Sequence, residues 1–249
     1  MKTKVLADYI IKELNKAINT LPKIDKNSDI EVLHEFRVSI RKSRSLIKLF
    51  FKKEKTIEQE LKEIVTQTNT QRELDIFLIS LENKKKSQNL YSKIKLQRDK
   101  AYDKICSEEF RNKSKNKLLN IIQKILNFEY FYTNKSLIKT AHKQYKESQK
   151  RFKSIDSSFS SKQLHKIRIA FKQSHYALQF IQDSKLKNEN KKIRRCKKIQ
   201  NYFGKIQDLT NQLDSLKAIY ENEAKNKKYL KNIKKREEKL TKAKKKLLK

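Results

Sequence analysis

A chain of 249 residues with one Gly, one Pro, 36% hydrophobic and 37% charged residues has almost nothing from which to build tight β-turns. Sixty-three Lys and Arg against 28 Asp and Glu leave a net charge of +35, whose self-repulsion works against compactness and is compensated by a polyanionic partner or spread over solvated outer faces. No uninterrupted apolar run follows Met1-Lys2-Thr3-Lys4, nothing approaches the roughly 20 apolar residues of a membrane span, and Cys106 and Cys196 form neither a disulfide framework nor a metal-ligand spacing.

An all-helical, cytoplasmic protein with a thin core is the expectation, its two cysteines half-buried on helices in a reducing compartment. Apolar residues at helical spacing predict helices near 3–20, 28–53, 56–82, 86–107 and 109–128, then near 135–154, 161–184, 187–220 and 223–247. Pro22 with Asn27-Ser28 closes the first connection, and Asp156-Ser157-Ser158 with Ser160-Ser161 opens the second half. Two starts carry capping boxes, Ser28-Asp29-Ile30-Glu31 and Ser160-Ser161-Lys162-Gln163, in which a Ser oxygen caps the helix and Glu or Gln reaches back.

The helices after those boxes are related. Leu33-His34-Glu35-Phe36-Arg37-Val38-Ser39-Ile40-Arg41-Lys42-Ser43-Arg44 aligns without gaps with Leu164-His165-Lys166-Ile167-Arg168-Ile169-Ala170-Phe171-Lys172-Gln173-Ser174-His175, at an offset of 165 − 34 = 131. Downstream, Lys62, Ile64, Glu73 and Leu74 match Lys197, Ile199, Asp208 and Leu209 at an offset of 197 − 62 = 135. The chain therefore reads as an internal duplication of helical units, with repeat halves 1–130 and 131–249.

On a helix, His34, Arg37, Arg41, Arg44 and Lys48 fall within an arc of about 80° and extend along about 21 Å. His165, Arg168, Lys172 and His175 repeat the first four positions, and Gln179 ends the series without a charge. Beside each stripe runs an apolar seam: Leu33, Phe36, Ile40, Ile47 and Phe50 in the first, and Leu164, Ile167, Phe171, Ala177, Leu178 and Ile181 in the second. The cations thus border the packed face instead of opposing it, unlike an ordinary amphipathic helix. A row of cations suits a ligand charged along its length, and Arg can donate two parallel hydrogen bonds to a phosphate. Histidine among cations is expected to be neutral when free and to take up a proton when phosphate oxygens arrive.

Leu33-His34-x-x-Arg37-Val38-x-x-Arg41-Lys42-x-Arg44 and Leu164-His165-x-x-Arg168-x-x-x-Lys172-x-x-His175-Tyr176-Ala177-Leu178 resemble the two signature helices of the CHAD family, the conserved histidine α-helical domain. Lys197-x-Ile199-Gln200-x-x-x-Gly204-x-x-Gln207-Asp208 resembles that family's Lys-x-Leu-Gln-x-x-x-Gly-x-x-Asn-Asp stretch, and Arg72-Glu73-Leu74-Asp75 its first-half Arg-Asp-x-Asp. The resemblance spans about residues 5–245. It implies two pseudo-symmetric bundles of long antiparallel helices around a basic cleft that binds inorganic polyphosphate, without catalysis, metal or cofactor. Carried onto this chain, the implied contacts are His34, Arg37, Arg41, Lys42, Arg44 and Lys48, then His165, Arg168, Lys172 and His175, with Lys62 and Lys197. Three positions depart from the pattern: His175 stands for Arg, Glu73 for Asp and Gln207 for Asn, leaving the second stripe less cationic.

Lys135, Lys139, Lys143, Lys146 and Lys150 form another stripe, which either extends the binding surface, through Lys139 and Lys143, or is merely solvated. Gly204, on one helical face with Lys197, Gln200 and Asp208, is read as permitting close helix packing or ligand approach. Glu73, Asp75 and Asp208 are read as partners that orient arginines rather than as an acid–base pair. The Lys-rich tail 225–249 is read as a fraying helix or a nonspecific anion arm.

Three functions compete. The first is a polyphosphate-binding module, associated with polyphosphate granules or with polyphosphate-metabolising enzymes. The second is nonspecific nucleic-acid binding through phosphate contacts, which finds no homeodomain, zinc-finger or RNP-like motif and has its aromatics mostly at seam positions. The third, phosphotransfer or phosphohydrolysis through His34 or His165, lacks a glycine-rich phosphate loop and a carboxylate cluster for metal.

Overall fold

The computed structural model describes residues 4–82, 88–128, 132–155, 159–222 and 227–247. Among them are ten α-helices and no strand: α1 (Val5–Thr20), α2 (Ile30–Phe50), α3 (Lys55–Gln67), α4 (Asn69–Ile79), α5 (Gln88–Cys106), α6 (Glu108–Leu126), α7 (Asn134–Lys153), α8 (Ser161–Asp183), α9 (Asn190–Asn222) and α10 (Lys227–Leu247). The expected starts of helices at Thr3, at 86–87 and at 223–226, and the Asp156–Ser158 connection, lie outside the described residues.

Pro22 sits at the start of a 3-10 turn, Leu21–Lys23, where its missing N–H leaves no hydrogen bond unmade. The first capping box is displaced by one residue from its expected position. Asp29, not Ser28, caps α2, accepting from the Glu31 N–H at 2.8 Å. Ser28 is already engaged: its Oγ donates to the Asp25 carbonyl at 2.7 Å and accepts from the Asp25 N–H at 3.2 Å. The second box forms as expected. Ser160 Oγ accepts from the Gln163 N–H at 3.3 Å, and Gln163 Oε1 returns to the Ser160 N–H at 2.8 Å.

The helix expected over 56–82 is two helices. It breaks at Thr68, whose Oγ1 donates to the Val65 carbonyl at 2.9 Å and so competes with the backbone ladder. A side chain from α2, Arg37, fills the break. That contact is tertiary, which is why local periodicity runs through the site without a signal.

At the end of α8, with no glycine available, Lys185 takes the left-handed conformation (φ 55°). The Leu186 N–H then reaches the Ile181 carbonyl and the Lys185 N–H the Gln182 carbonyl, which ends the helix in a Schellman arrangement.

The chain divides into two compact units. The first comprises Met1–His142 and Tyr176–Glu189; the second comprises Lys143–His175 and Asn190–Lys249. In the first unit, Leu6, Ile10, Leu14 and Ala17 of α1 share one core with Leu33, Phe36, Ile40 and Ile47 of α2, together with residues of α3 and α6. The last turns of α8 add Ala177, Phe180 and Ile181 to that core, and Phe180 meets Tyr9 edge-on at 5.2 Å. In the second unit, Phe152 of α7 packs edge-on against Phe171 of α8 (5.7 Å) and Phe203 of α9 (6.2 Å). There α10 is tied to α9 where Arg236 Nε donates to Gln212 Oε1 at 3.2 Å.

Every residue of both predicted seams is at most 6% exposed. Each buried Leu, Ile or Phe there contributes about 1.5–3 kcal/mol. The repeat extends beyond the aligned motif. Leu137, Ala141, Tyr145 and Ser148 of α7 stand 131 positions after Leu6, Ile10, Leu14 and Ala17 of α1, and all eight are buried. Ser43 and Ser174, related by the same offset, are both fully buried. Each donates to the carbonyl four residues earlier, on Ser39 and Ala170, at 3.0 Å.

Candidate anion-binding site

The first stripe lies on α2, held by its seam against α1 and α3. The structure gives its cations different jobs. Arg37 is only 2% exposed. Its Nη1 donates to the Val65 carbonyl (2.8 Å) and to Thr68 Oγ1, and its Nη2 to Asn69 Oδ1 (2.7 Å). Burial, then the charges of Arg41 and Arg72, pulls its pKa down to about 9, which still leaves the guanidinium protonated at neutral pH. Lys42 reaches back to the buried Glu13 of α1 at 3.4 Å, and Lys16 holds the same carboxylate at 3.2 Å. Arg44 grips Glu58 Oε1 of α3 through Nε (2.7 Å) and Nη2 (2.6 Å). His34 and Arg41 are half-buried and Lys48 is exposed, as is Lys62 on α3.

A residue missing from the sequence-derived contact set stands beside His34. Arg72, one turn into α4, has a side chain 14% exposed and reaches α2 through long contacts, 3.4 Å to the Ile30 carbonyl and 3.9 Å to Glu31. Its charge is felt at the histidine. Burial first, then Arg72, with further help from Arg41 and Arg37, holds the His34 pKa below the ordinary 6.5 against the opposing pull of Glu31. That direction favours the neutral imidazole in the free protein, the form expected of a histidine among cations. The sequence signal for Arg72 is the Arg72-Glu73-Leu74-Asp75 segment, whose one cation it is.

In the second stripe His165 is exposed, and its Nδ1 pairs with Gln207 Oε1 of α9 at 3.1 Å; Gln207 in turn donates to Asn211 Oδ1 at 2.8 Å. With the amide oxygen as acceptor, His165 donates through Nδ1 and keeps Nε2 for another partner. Gln207 is the counterpart of Arg72 at the 135-residue offset, so the equivalent position beside each histidine is cationic in one repeat and neutral in the other. Arg168, Lys172 and His175 are half-buried, and Lys197 is exposed on α9. On α7 Lys135, Lys139, Lys143, Lys146 and Lys150 are all exposed.

Asp75 orients an arginine, as expected of these carboxylates, although the partner is Arg98 of α5. Asp75 accepts from Arg98 Nε at 2.7 Å and from the Tyr102 hydroxyl at 2.9 Å, with none of its surface exposed. Gly204 departs from its packing expectation. A Cβ built there would meet nothing within 4 Å among the described residues, so close helix packing does not account for the glycine. Both cysteines are free. Cys106 is half-buried, whereas Cys196 is wholly buried, and burial pushes its thiol up to about 12. No described helix is long and apolar enough to cross a membrane.

Fold and site together define an all-helical, internally repeated domain in which two related helices each carry a histidine-led row of cations beside a packed seam. A family model described as the CHAD domain matches residues 8–217. The chain belongs to the CHAD domain family. The crystal structure of the CHAD domain from the plant Ricinus communis is similar over 98% of this chain and 85% of its own, with a TM-score of 0.71 and 18% sequence identity, a likeness of fold. No curated protein matches this chain.

Proposed function

We propose that this protein binds inorganic polyphosphate without catalysis, through its two histidine-led cation stripes. One observation carries the reading: His34 and His165 stand at equivalent repeat positions, each three residues before an arginine, each beside a buried seam. In the first stripe the anion contacts fall to His34, Arg41 and Lys48, joined by Arg72 of α4; in the second, to His165, Arg168, Lys172 and His175. Lys42, paired with Glu13, and Arg44, paired with Glu58, contribute field more than contact. Exposed Lys62, Lys197, Lys139 and Lys143 add the long-range attraction that a polyanion feels. The nucleic-acid alternative is disfavoured by the aromatic residues. Among the exposed large hydrophobic side chains of the described residues, Tyr202 is the one aromatic, where base stacking on single strands calls for several.

In this reading the protein is cytoplasmic, and its partners are polyphosphate, polyphosphate granules and the enzymes that make or degrade the polymer. Calorimetric titration of long-chain polyphosphate into His34→Ala/Arg41→Ala/Arg72→Ala and, separately, His165→Ala/Arg168→Ala/Lys172→Ala tests it. Each triple variant is expected to lose at least tenfold in affinity, each lost charged hydrogen bond being worth about 1.5–3 kcal/mol. Undiminished binding by both, with helicity intact, would leave the stripes without a role.

A further inference from the structure

Arg37 aligns with the ligand-facing stripe, yet its guanidinium is turned inward and spends three hydrogen bonds on the junction of α3 and α4. The Val65 carbonyl belongs to the last turn of α3, the end of a helix that attracts a cation. Asn69 is the first residue of α4. One side chain therefore clamps the end of one helix to the start of the next. Three residues beyond Asn69, on the same helical face, is Arg72. In the second repeat the aligned helix does not break: across Gln200 to Gly204, α9 runs on, and the histidine meets Gln207 where the first repeat has Arg72.

We infer that Arg37 is a positioning residue and not an anion contact, its brace on Val65, Thr68 and Asn69 fixing the α3–α4 break and thereby carrying Arg72 up to His34. The charges facing His34 come from α2 itself (Glu31, Arg37, Arg41) and from α4 (Arg72), so a shift of α4 changes one of them selectively. The inference concerns geometry. Only its affinity consequence rests on the polyphosphate reading.

The test uses Thr68→Val and Asn69→Ala in the full chain, each removing one arm of the brace while leaving Arg37 in place. Without ligand, NMR titration of the histidines reads the position of Arg72. In either variant His34 is expected to shift upward toward its ordinary range, while His165, which lies in the other unit, stays as in the wild type. With long inorganic polyphosphate, both variants are expected to bind about tenfold more weakly, the worth of one charge-assisted hydrogen bond. Adding Arg37→Lys to Asn69→Ala should then cost less than Arg37→Lys costs alone, because both changes damage the same brace. If His34 titration and affinity are unchanged in both brace variants while Arg37→Lys weakens binding, Arg37 touches the anion itself and the inference fails. If the wild type ignores polyphosphate, the functional reading fails, and the ligand-free titration still decides the role of Arg37.

Discussion

Asp75 of α4 receives the Arg98 Nε hydrogen bond at 2.7 Å in a place where the carboxylate has no exposed surface and the arginine side chain 7%. Tyr102 completes the set from the next turn of α5, its hydroxyl on the other carboxylate oxygen, and the Arg98 guanidinium lies 4.1 Å from the Tyr102 ring centre. Burial, then the Asp75 charge, raises the tyrosine pKa well above its ordinary range, so the hydroxyl remains a donor. Removing one partner of a buried pair strands the other charge. Asp75→Ala should therefore destabilise the protein by about 3–5 kcal/mol, against about 1 kcal/mol for Tyr102→Phe. Urea melts followed by circular dichroism measure both.

Glu58 of α3 pairs with Arg44 of the first cation stripe. Glu58→Gln leaves the side-chain shape and one acceptor oxygen but removes the negative charge beside α2, which loosens the guanidinium. Polyphosphate affinity should rise about fivefold at low salt, since a partly exposed pair of this kind is worth up to about 1 kcal/mol. Added salt should shrink that gain. Calorimetry at two salt concentrations checks both statements.

His34 gives binding and folding opposite responses to acid. A bound phosphate favours imidazolium, so between the lowered pKa of the free site and the raised one of the complex, binding takes up a proton and affinity grows as pH falls. Folding runs the other way. Between the lowered folded value and the ordinary 6.5 the unfolded chain holds more protons, so stability contributed by neutral His34 is complete above that window and declines as pH falls through it. His34→Gln should flatten both slopes, within the span of about pH 5 to 8 in which histidines change charge. The folding slope flattens at pH values below the ordinary 6.5, and the binding slope from the lowered free value up to that of the complex. Paired denaturation and binding profiles measure it.

Much of this was legible in the sequence, and the parts that were not have a common cause. Phe36, Ile40, Phe171 and Leu178 announced their burial through helical spacing, and Ser160 announced its cap through Gln163, because these depend on neighbours within one helix. The Thr68 break, the displaced cap at Asp29 and the inward turn of Arg37 each depend on a competing hydrogen bond. At the break it is the Thr68 hydroxyl's bond to the Val65 carbonyl, joined there by Arg37 from α2, and for Arg37 the partners lie at the α3–α4 junction. For the cap it is Asp25 in the connection before α2. Arg72 is not legible from spacing for a related reason: it becomes a neighbour of His34 through the break of α4 from α3.

Gly204 offers a further check. A mid-helix glycine costs about 1 kcal/mol relative to alanine, and the space around its Cβ position is open among the described residues. Gly204→Ala should stabilise the protein by about that amount. If the opening serves ligand approach, the same change should weaken polyphosphate binding, and the two effects separate in one thermal melt and one titration.

The central claim is that the two stripes recognise a linear chain of phosphates and not negative charge in general. Titrating long-chain polyphosphate, triphosphate, duplex DNA and heparin into the full chain at matched salt tests it most directly. The account predicts affinity that rises with polyphosphate length, falls steeply with salt as counterions are released, and exceeds that for DNA and heparin at equal charge. Equal affinity for triphosphate and long polyphosphate, or equal affinity for all three polymers, would contradict it.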